Sequence, residues 1–257
     1  MLYKKNKIQK KFFSNGYFVF KLFTKKDINL IRLDLIKRIN FLSGLKKNKK
    51  DIDLSNYHNL KFFLEKHKKI IQGRTRYLPL RKSFSSKIYK NKTIRQILYS
   101  EWGHGNFNIK WIFDRKTKTK KDTTGFRLAR PVNKSTKDVG GFHLDLHYGG
   151  EKNENKKALF TIWCPIIGTS SKYTLRISPK SHKPNHLQKF VSKQKKFLSP
   201  VLMENYTKKY RYIRPQLRLG EAIIFHPNLI HGGSLNLGKK TRVSIDFRLF
   251  NKKFFKN

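Results

Sequence analysis

Gly140-Gly141-Phe142-His143-Leu144-Asp145-Leu146-His147-Tyr148-Gly149-Gly150 reads as a short strand held between two glycine turns. Side chains alternate along a strand, so His143 and Asp145 are expected on one face, one pleat apart. An imidazole and a carboxylate side by side on rigid backbone supply two legs of a metal site. A third is offered downstream by Ile223-Ile224-Phe225-His226-Pro227-Asn228-Leu229-Ile230-His231-Gly232-Gly233, through His231. Two histidines and one carboxylate with the opposite face open is the donor set of non-haem Fe(II) sites. Taken alone, an H-x-D tripeptide is more often two polar residues on a solvated face, so its surroundings decide.

Around this stretch the chain reads as short strands separated by turn residues: 124–131, 141–147, 159–165, 173–178, 216–219, 222–226 and 242–250. That number of short strands suggests a sandwich or jelly roll. The part before it differs. Tyr17 to Leu22 reads as a strand, and Thr24-Lys25-Lys26-Asp27 is a capping box that satisfies the first N–H groups of a helix. Ile28, Ile31, Leu35, Ile39 and Leu42 follow at helical spacing, and Gly44 stops the run. Further helices are expected over Ser55 to Lys69 and Asn91 to Tyr99, then a strand over Asn106 to Phe113. The fold class is therefore mainly β with N-terminal helices, a double-stranded β-helix (jelly roll, cupin-like). A single domain is expected over 1–257, with 1–115 mostly helical and 116–257 forming the jelly-roll core.

Composition narrows the setting. One cysteine, Cys164, excludes an internal disulfide framework and a cysteine zinc cluster, and fits a reducing compartment. The basic N-terminal stretch has no long apolar run, so neither a signal peptide nor a spanning helix is expected and the cytoplasm is the default. The net charge of +45 invites a nucleic-acid reading. The lysines are scattered, however, with runs at 46–50, 116–121 and 193–196 that look like solvated loops. The wealth of Lys, Asn, Ile and Phe beside only three alanines also fits a compositional drift of A/T-rich codons. Nucleic acid is expected to bind only non-specifically, through charge.

Eleven positions after His231, Arg242-Val243-Ser244-Ile245-Asp246-Phe247-Arg248 alternates cleanly, with Arg242, Ser244, Asp246 and Arg248 on one face. An inward guanidinium with a hydroxyl two residues on suits bidentate capture of a carboxylate. In this order, H-x-D, a long interval, H and an R-x-S strand, the chain resembles the phytanoyl-CoA dioxygenase-like family. It is most similar to the bacterial branch of aminoglycoside and surface-carbohydrate biosynthesis. Ile177-Ser178-Pro179-Lys180-Ser181-His182-Lys183 resembles that family's P-G-S-H-K turn, with Lys180 where glycine is usual. Gly220 to Phe225 leads to the distal histidine as it does there.

The resemblance implies a jelly roll holding Fe(II) through His143, Asp145 and His231, with Arg242 and Ser244 binding 2-oxoglutarate and O2 as the oxidant. 2-Oxoglutarate would leave as succinate and CO2 while a substrate is hydroxylated or otherwise oxidised. Asp145 argues against halogenation, since family-like halogenases replace that carboxylate. Trp163 is a candidate wall of the cosubstrate pocket. His147, Tyr148, Arg127 and Arg130 are candidates for the substrate mouth, together with the long 183–209 insertion. His182 and His226 read as structural. The expected partner is a small polar substrate, a sugar or nucleotide-sugar. Two other classes compete: a cupin-like metal protein without oxygenase activity, which needs no Arg242-x-Ser244 clamp, and a basic nucleic-acid-binding or nucleic-acid-modifying jelly roll, which needs an aromatic and arginine stripe.

Overall fold

The computed structural model describes residues 6–45, 52–114, 118–145, 159–183, 191–192, 201–202, 204–232 and 234–253. Helix α1 (Lys7–Asn15) is closed at its start by a capping box between Asn6 and Gln9. Strand β1 (Tyr17–Lys21) follows, then α2 (Lys25–Ser43), which Thr24 and Asp27 cap and Gly44 ends in the left-handed conformation. The helix expected over Ser55 to Lys69 is instead three pieces, a 3-10 segment Leu54–Asn59, α3 (Lys61–Glu65) and α4 (His67–Ile71). Buried Tyr57 folds the pieces on one another: its hydroxyl donates to the Phe63 carbonyl and lies 3.0 Å from His67 Nδ1.

A second 3-10 segment, Gly73–Arg76, leads into β2 (Tyr77–Pro79), α5 (Lys82–Tyr89) and α6 (Lys92–Trp102). The strand expected over Asn106 to Phe113 breaks into β3 (Phe107–Ile109) and β4 (Trp111–Asp114). At the break, Lys110 donates its N–H to Arg248 and accepts from Thr123, so the chain changes pairing partner there. Trp111 is left 44% exposed, while Phe107 and Ile109 are buried. The remaining elements are β5 (Thr119–Ala129), β6 (Phe142–His143), β7 (Leu159–Ile167), β8 (Arg176–Ile177), β9 (Val191–Ser192), β10 (Val201–Leu202), α7 (Glu204–Thr207), β11 (Glu221–Phe225), β12 (His231–Gly232) and β13 (Arg242–Asn251). The stretch 216–219, expected as a strand, is irregular.

Two antiparallel sheets make the jelly roll. The larger runs β1-β11-β7-β13-β5-β2, and β3 and β4 attach to β13 and β5; the smaller runs β6-β12-β8. Alternation sends each strand of the larger sheet both ways. Ile162, Cys164, Ala222, Ile224, Ile245 and Phe247 pack against Phe12, Ile28, Leu35, Phe84 and Ile97 of the helices. Trp163, Ile223 and Phe225 pack the other way, onto Leu175 and Ile177 at the smaller sheet. The helices thus cover the outer face of the larger sheet, and the site lies between the sheets. No helix among the described residues is long and apolar enough to cross a membrane.

Candidate metal centre

Strand β12 is the middle of the smaller sheet, and His231 pairs directly with His143 of β6. Directly paired residues present side chains to the same face, and the two imidazole rings lie 4.4 Å apart between centroids. Each Nδ1 is held by a backbone carbonyl two residues earlier: His143 by Gly141 at 3.0 Å, His231 by Leu229 at 2.9 Å. A carbonyl accepts only, so each Nδ1 carries a proton, which leaves Nε2 as the nitrogen turned toward a metal. Burial and the neighbouring His231 push His143 down to about 3, so it is neutral near pH 7.

The sheet needs glycine beside this pair. Gly232 has φ +105°, and a Cβ there would meet the Gly141 carbonyl at 2.8 Å and His143 Nδ1 at 2.9 Å. A side chain would therefore collide with the hydrogen bond that orients the ring.

The strand ends at His143, sooner than the sequence pattern predicts, and Asp145 lies in the turn just past it. The two residues converge all the same. Asp145 Oδ1 is 3.7 Å from His143 Nε2 and 3.6 Å from His231 Nε2. Its other oxygen accepts from the Thr161 hydroxyl of β7. Burial alone would raise this carboxyl, but His231, Arg248, His143 and Thr161 outweigh it and hold it well below the usual carboxylate range. The donor atoms of His143, Asp145 and His231 all lie within 4.8 Å of one another, a cluster that can hold a metal ion. Two imidazole nitrogens and one carboxylate oxygen suit Fe(II).

A cavity of about 190 Å³ opens from this cluster, with Trp163, Phe225 and Leu175 as its apolar wall and Arg76, Arg127, Arg242 and Arg248 as its charged one. Arg242 is only 5% exposed. One terminal nitrogen donates to the carbonyls of Tyr173 (3.1 Å) and Ser234 (3.0 Å). Its Nε, like the Oγ of buried Ser244 on the same face, has no partner among the described residues. Burial, with Arg127 and Arg214 nearby, pulls the guanidinium down to about 10, still charged at neutral pH.

Arg127 lines the cavity and donates from Nε to Asp246 Oδ2 at 3.3 Å. Gly125, paired with Asp246, leaves room for that carboxylate, whose Oδ1 would sit 2.6 Å from a Cβ. Arg130 is turned elsewhere. It grips Asp138 with two side-chain donors and its own N–H, while His67 and Ser135 approach the same carboxylate. His147 and Tyr148 lie outside the described residues, as does most of 183–209. His182 is tied to the Phe13 carbonyl, and His226 faces Glu101, both away from the cavity. Thr161 and Arg76 were not singled out from sequence. No local pattern marks them; β7 and the β2–β5 pairing bring them in.

Residues 123–244 match the phytanoyl-CoA dioxygenase (PhyH) family. The matched stretch holds His143, Asp145, His231, Arg242 and Ser244. With the His–Asp–His cluster and the fold neighbours below, it indicates an Fe(II)- and 2-oxoglutarate-dependent enzyme. No curated protein matches the sequence. Among solved structures, the jelly roll is similar to EvdO2 from Micromonospora carbonacea var. aurantiaca, at TM-score 0.59 and 10% identity over 96% of this chain and 91% of that one. It is also similar to the non-heme alpha ketoglutarate dependent carbocyclase SnoK from nogalamycin biosynthesis, at 0.56 and 11% over 97% and 85%. The epimerase SnoN, solved with Fe3+, alpha ketoglutarate and nogalamycin RO, gives 0.54 and 10% over 95% and 82%. At such identities the likeness is one of fold.

Proposed function

We propose that His143, Asp145 and His231 hold the iron and that Arg242, with Ser244, grips the distal carboxylate of 2-oxoglutarate beside Trp163. The substrate is a small polar molecule of the sugar or nucleotide-sugar class, which the enzyme hydroxylates or oxidises in a related way. The observation that carries this reading is the unpartnered Arg242 Nε and Ser244 Oγ on the sheet face behind the His143, Asp145 and His231 cluster. A buried charged donor without an acceptor is costly unless a ligand supplies one. A cupin-like metal protein without oxygenase activity leaves those atoms unexplained.

Bound iron supplies the coupling of O2 reduction and 2-oxoglutarate decarboxylation, to succinate and CO2, with oxidation of a substrate C–H bond. The chain's own residues prepare the place. Carbonyls at Gly141 and Leu229 aim two imidazole lone pairs inward, and Thr161 fixes the rotation of the Asp145 carboxylate. Trp163 and Phe225 keep water from one side, which strengthens every charge interaction inside. SnoK is a carbocyclase and SnoN an epimerase, which supports reactions other than hydroxylation on this fold.

On the same reading the chain acts as one domain in the cytoplasm, with buried Cys164 reduced, and its +45 charge meets nucleic acid only non-specifically. The test is Asp145→Ala and His231→Ala. Each is expected to lose Fe(II) binding and 2-oxoglutarate-dependent succinate release while keeping the wild-type circular dichroism spectrum. Wild-type iron affinity in either variant would overturn the ligand set.

A further inference from the structure

The arginines around the cavity outnumber what iron and 2-oxoglutarate require. Arg76, Arg127, Arg242 and Arg248 line it against Asp138, Asp145 and Asp246, and Asp138 is already matched by Arg130. Among the described residues, four positive charges therefore face two negative ones. A divalent iron and a doubly charged 2-oxoglutarate cancel each other, so two positive charges remain to be balanced. They are not distributed evenly. Arg242 lies deep, 5% exposed, while the Arg127 side chain is 39% exposed.

Arg127 commits only Nε to Asp246, at 3.3 Å, and its two terminal nitrogens have no hydrogen bond among the described residues. Arg76 has no side-chain hydrogen bond among them either; its guanidinium lies 5.5 Å from the Tyr77 ring centroid. The two reach the cavity from neighbouring strands, since β2, which follows Arg76 directly, pairs with β5, which carries Arg127. Buried Asp246 feels the charge of both arginines and fixes one edge of the Arg127 plane. Two planar guanidinium groups with open forks at the mouth match the geometry of a phosphoryl or carboxylate group.

We infer that Arg76 and Arg127 form an anion subsite for the substrate, so that the molecule oxidised carries a phosphoryl or carboxylate group. This rests on the assignment of the iron ligands and of Arg242 made above. It sharpens the substrate class from polar to anionic, and it separates the roles of the arginines: Arg242 takes the cosubstrate, Arg76 and Arg127 take the substrate. The Arg127–Asp246 pair then holds one fork in place before anything binds.

The experiment is calorimetric titration of inorganic phosphate, and separately of acetate, into protein kept under argon with Fe(II) and saturating 2-oxoglutarate. Phosphate or acetate should bind to the wild type, and Arg76→Gln should weaken it about tenfold or more. Arg127→Gln should do the same; because it also leaves Asp246 buried without its partner, Arg76→Gln carries the test if Arg127→Gln fails to fold. The double variant Lys25→Gln, Lys26→Gln removes twice the charge of either single variant from an exposed helix start and should bind as the wild type does. A stronger response to phosphate than to acetate assigns a phosphoryl group; the reverse assigns a carboxylate. Three results would overturn the subsite: unchanged affinity in Arg76→Gln, an equal loss in the lysine control, or complete displacement of the probe by 2-oxoglutarate. Failure of 2-oxoglutarate itself to bind is read by titrating it first into the Fe(II)-loaded protein and would overturn the cosubstrate assignment instead.

Discussion

Replacing Arg242 by alanine removes the deepest positive charge of the cavity, and the structure sets what that should cost. One terminal nitrogen is already spent on the Tyr173 and Ser234 carbonyls, which leaves Nε and the second terminal nitrogen for a ligand. Charge-assisted hydrogen bonds contribute about 1.5–3 kcal/mol each. Two of them make roughly 3–6 kcal/mol, which is a loss of about a hundredfold to ten-thousandfold in 2-oxoglutarate affinity. Arg242→Lys keeps the charge without the fork and should fall between. Ser244→Ala removes a single donor and should cost about tenfold or more. The assay is anaerobic calorimetry of 2-oxoglutarate against Fe(II)-loaded protein, with iron affinity measured separately and expected to hold. Wild-type 2-oxoglutarate affinity in Arg242→Ala would refute the clamp. A larger loss from Arg248→Ala would move it three pleat repeats along β13.

Gly232→Ala forces a Cβ against Gly141 and His143 at a backbone angle that disfavours side chains, so iron affinity should drop at least tenfold in a titration while the fold persists. Asp138 lies below its ordinary value because Arg130 and His67 hold the anion against the opposing cost of burial. A depressed carboxylate adds stability that is complete above its unfolded value, about 3.9, and fades as pH falls from there. Urea unfolding between pH 6 and pH 2 should therefore be less steep with pH in Asp138→Asn, and a parallel dependence would remove Asp138 from the account. Lys180 stands at φ +69°, where the family turn has glycine, and Lys180→Gly should stabilise by about 0.5–1 kcal/mol, visible as a melting temperature higher by roughly 1–4 °C.

What could be read from the sequence was what short-range pattern records. The Thr24 to Asp27 box and the spacing of Ile28 to Leu42 mark α2 because each signal lies within a turn or two of the residue it governs. Strict alternation over Arg242 to Arg248 assigned faces correctly because one side of β13 meets helices and the other the cavity. Tertiary facts were silent. Nothing within a few residues of Arg130 says that Asp138 will claim it, and nothing near Arg76 says that β2 will deliver it to β5. Asp145 was expected on a longer strand; it reaches the histidines from a turn, with Thr161, sixteen residues on, holding its rotation. Lys110 breaks a strand that periodicity would continue because two different neighbours compete for its backbone.

The two sheets that make the cavity are unequal in strength. The larger is laced by strands of up to eleven residues, whereas β6, β8 and β12 are two residues each. Both histidines ride on the weaker ribbon, and Asp145 joins it only through a turn. A ribbon so thinly bonded opens locally at a small fraction of the global unfolding energy. A ligand that bridges all three side chains favours the closed form in proportion to its affinity. The cation would therefore act as a clasp for one wall of the barrel. Amide exchange at Phe142, His143, His231 and Gly232 should slow on loading with Fe(II), while the amides of β7 and β13 keep the protection they already have.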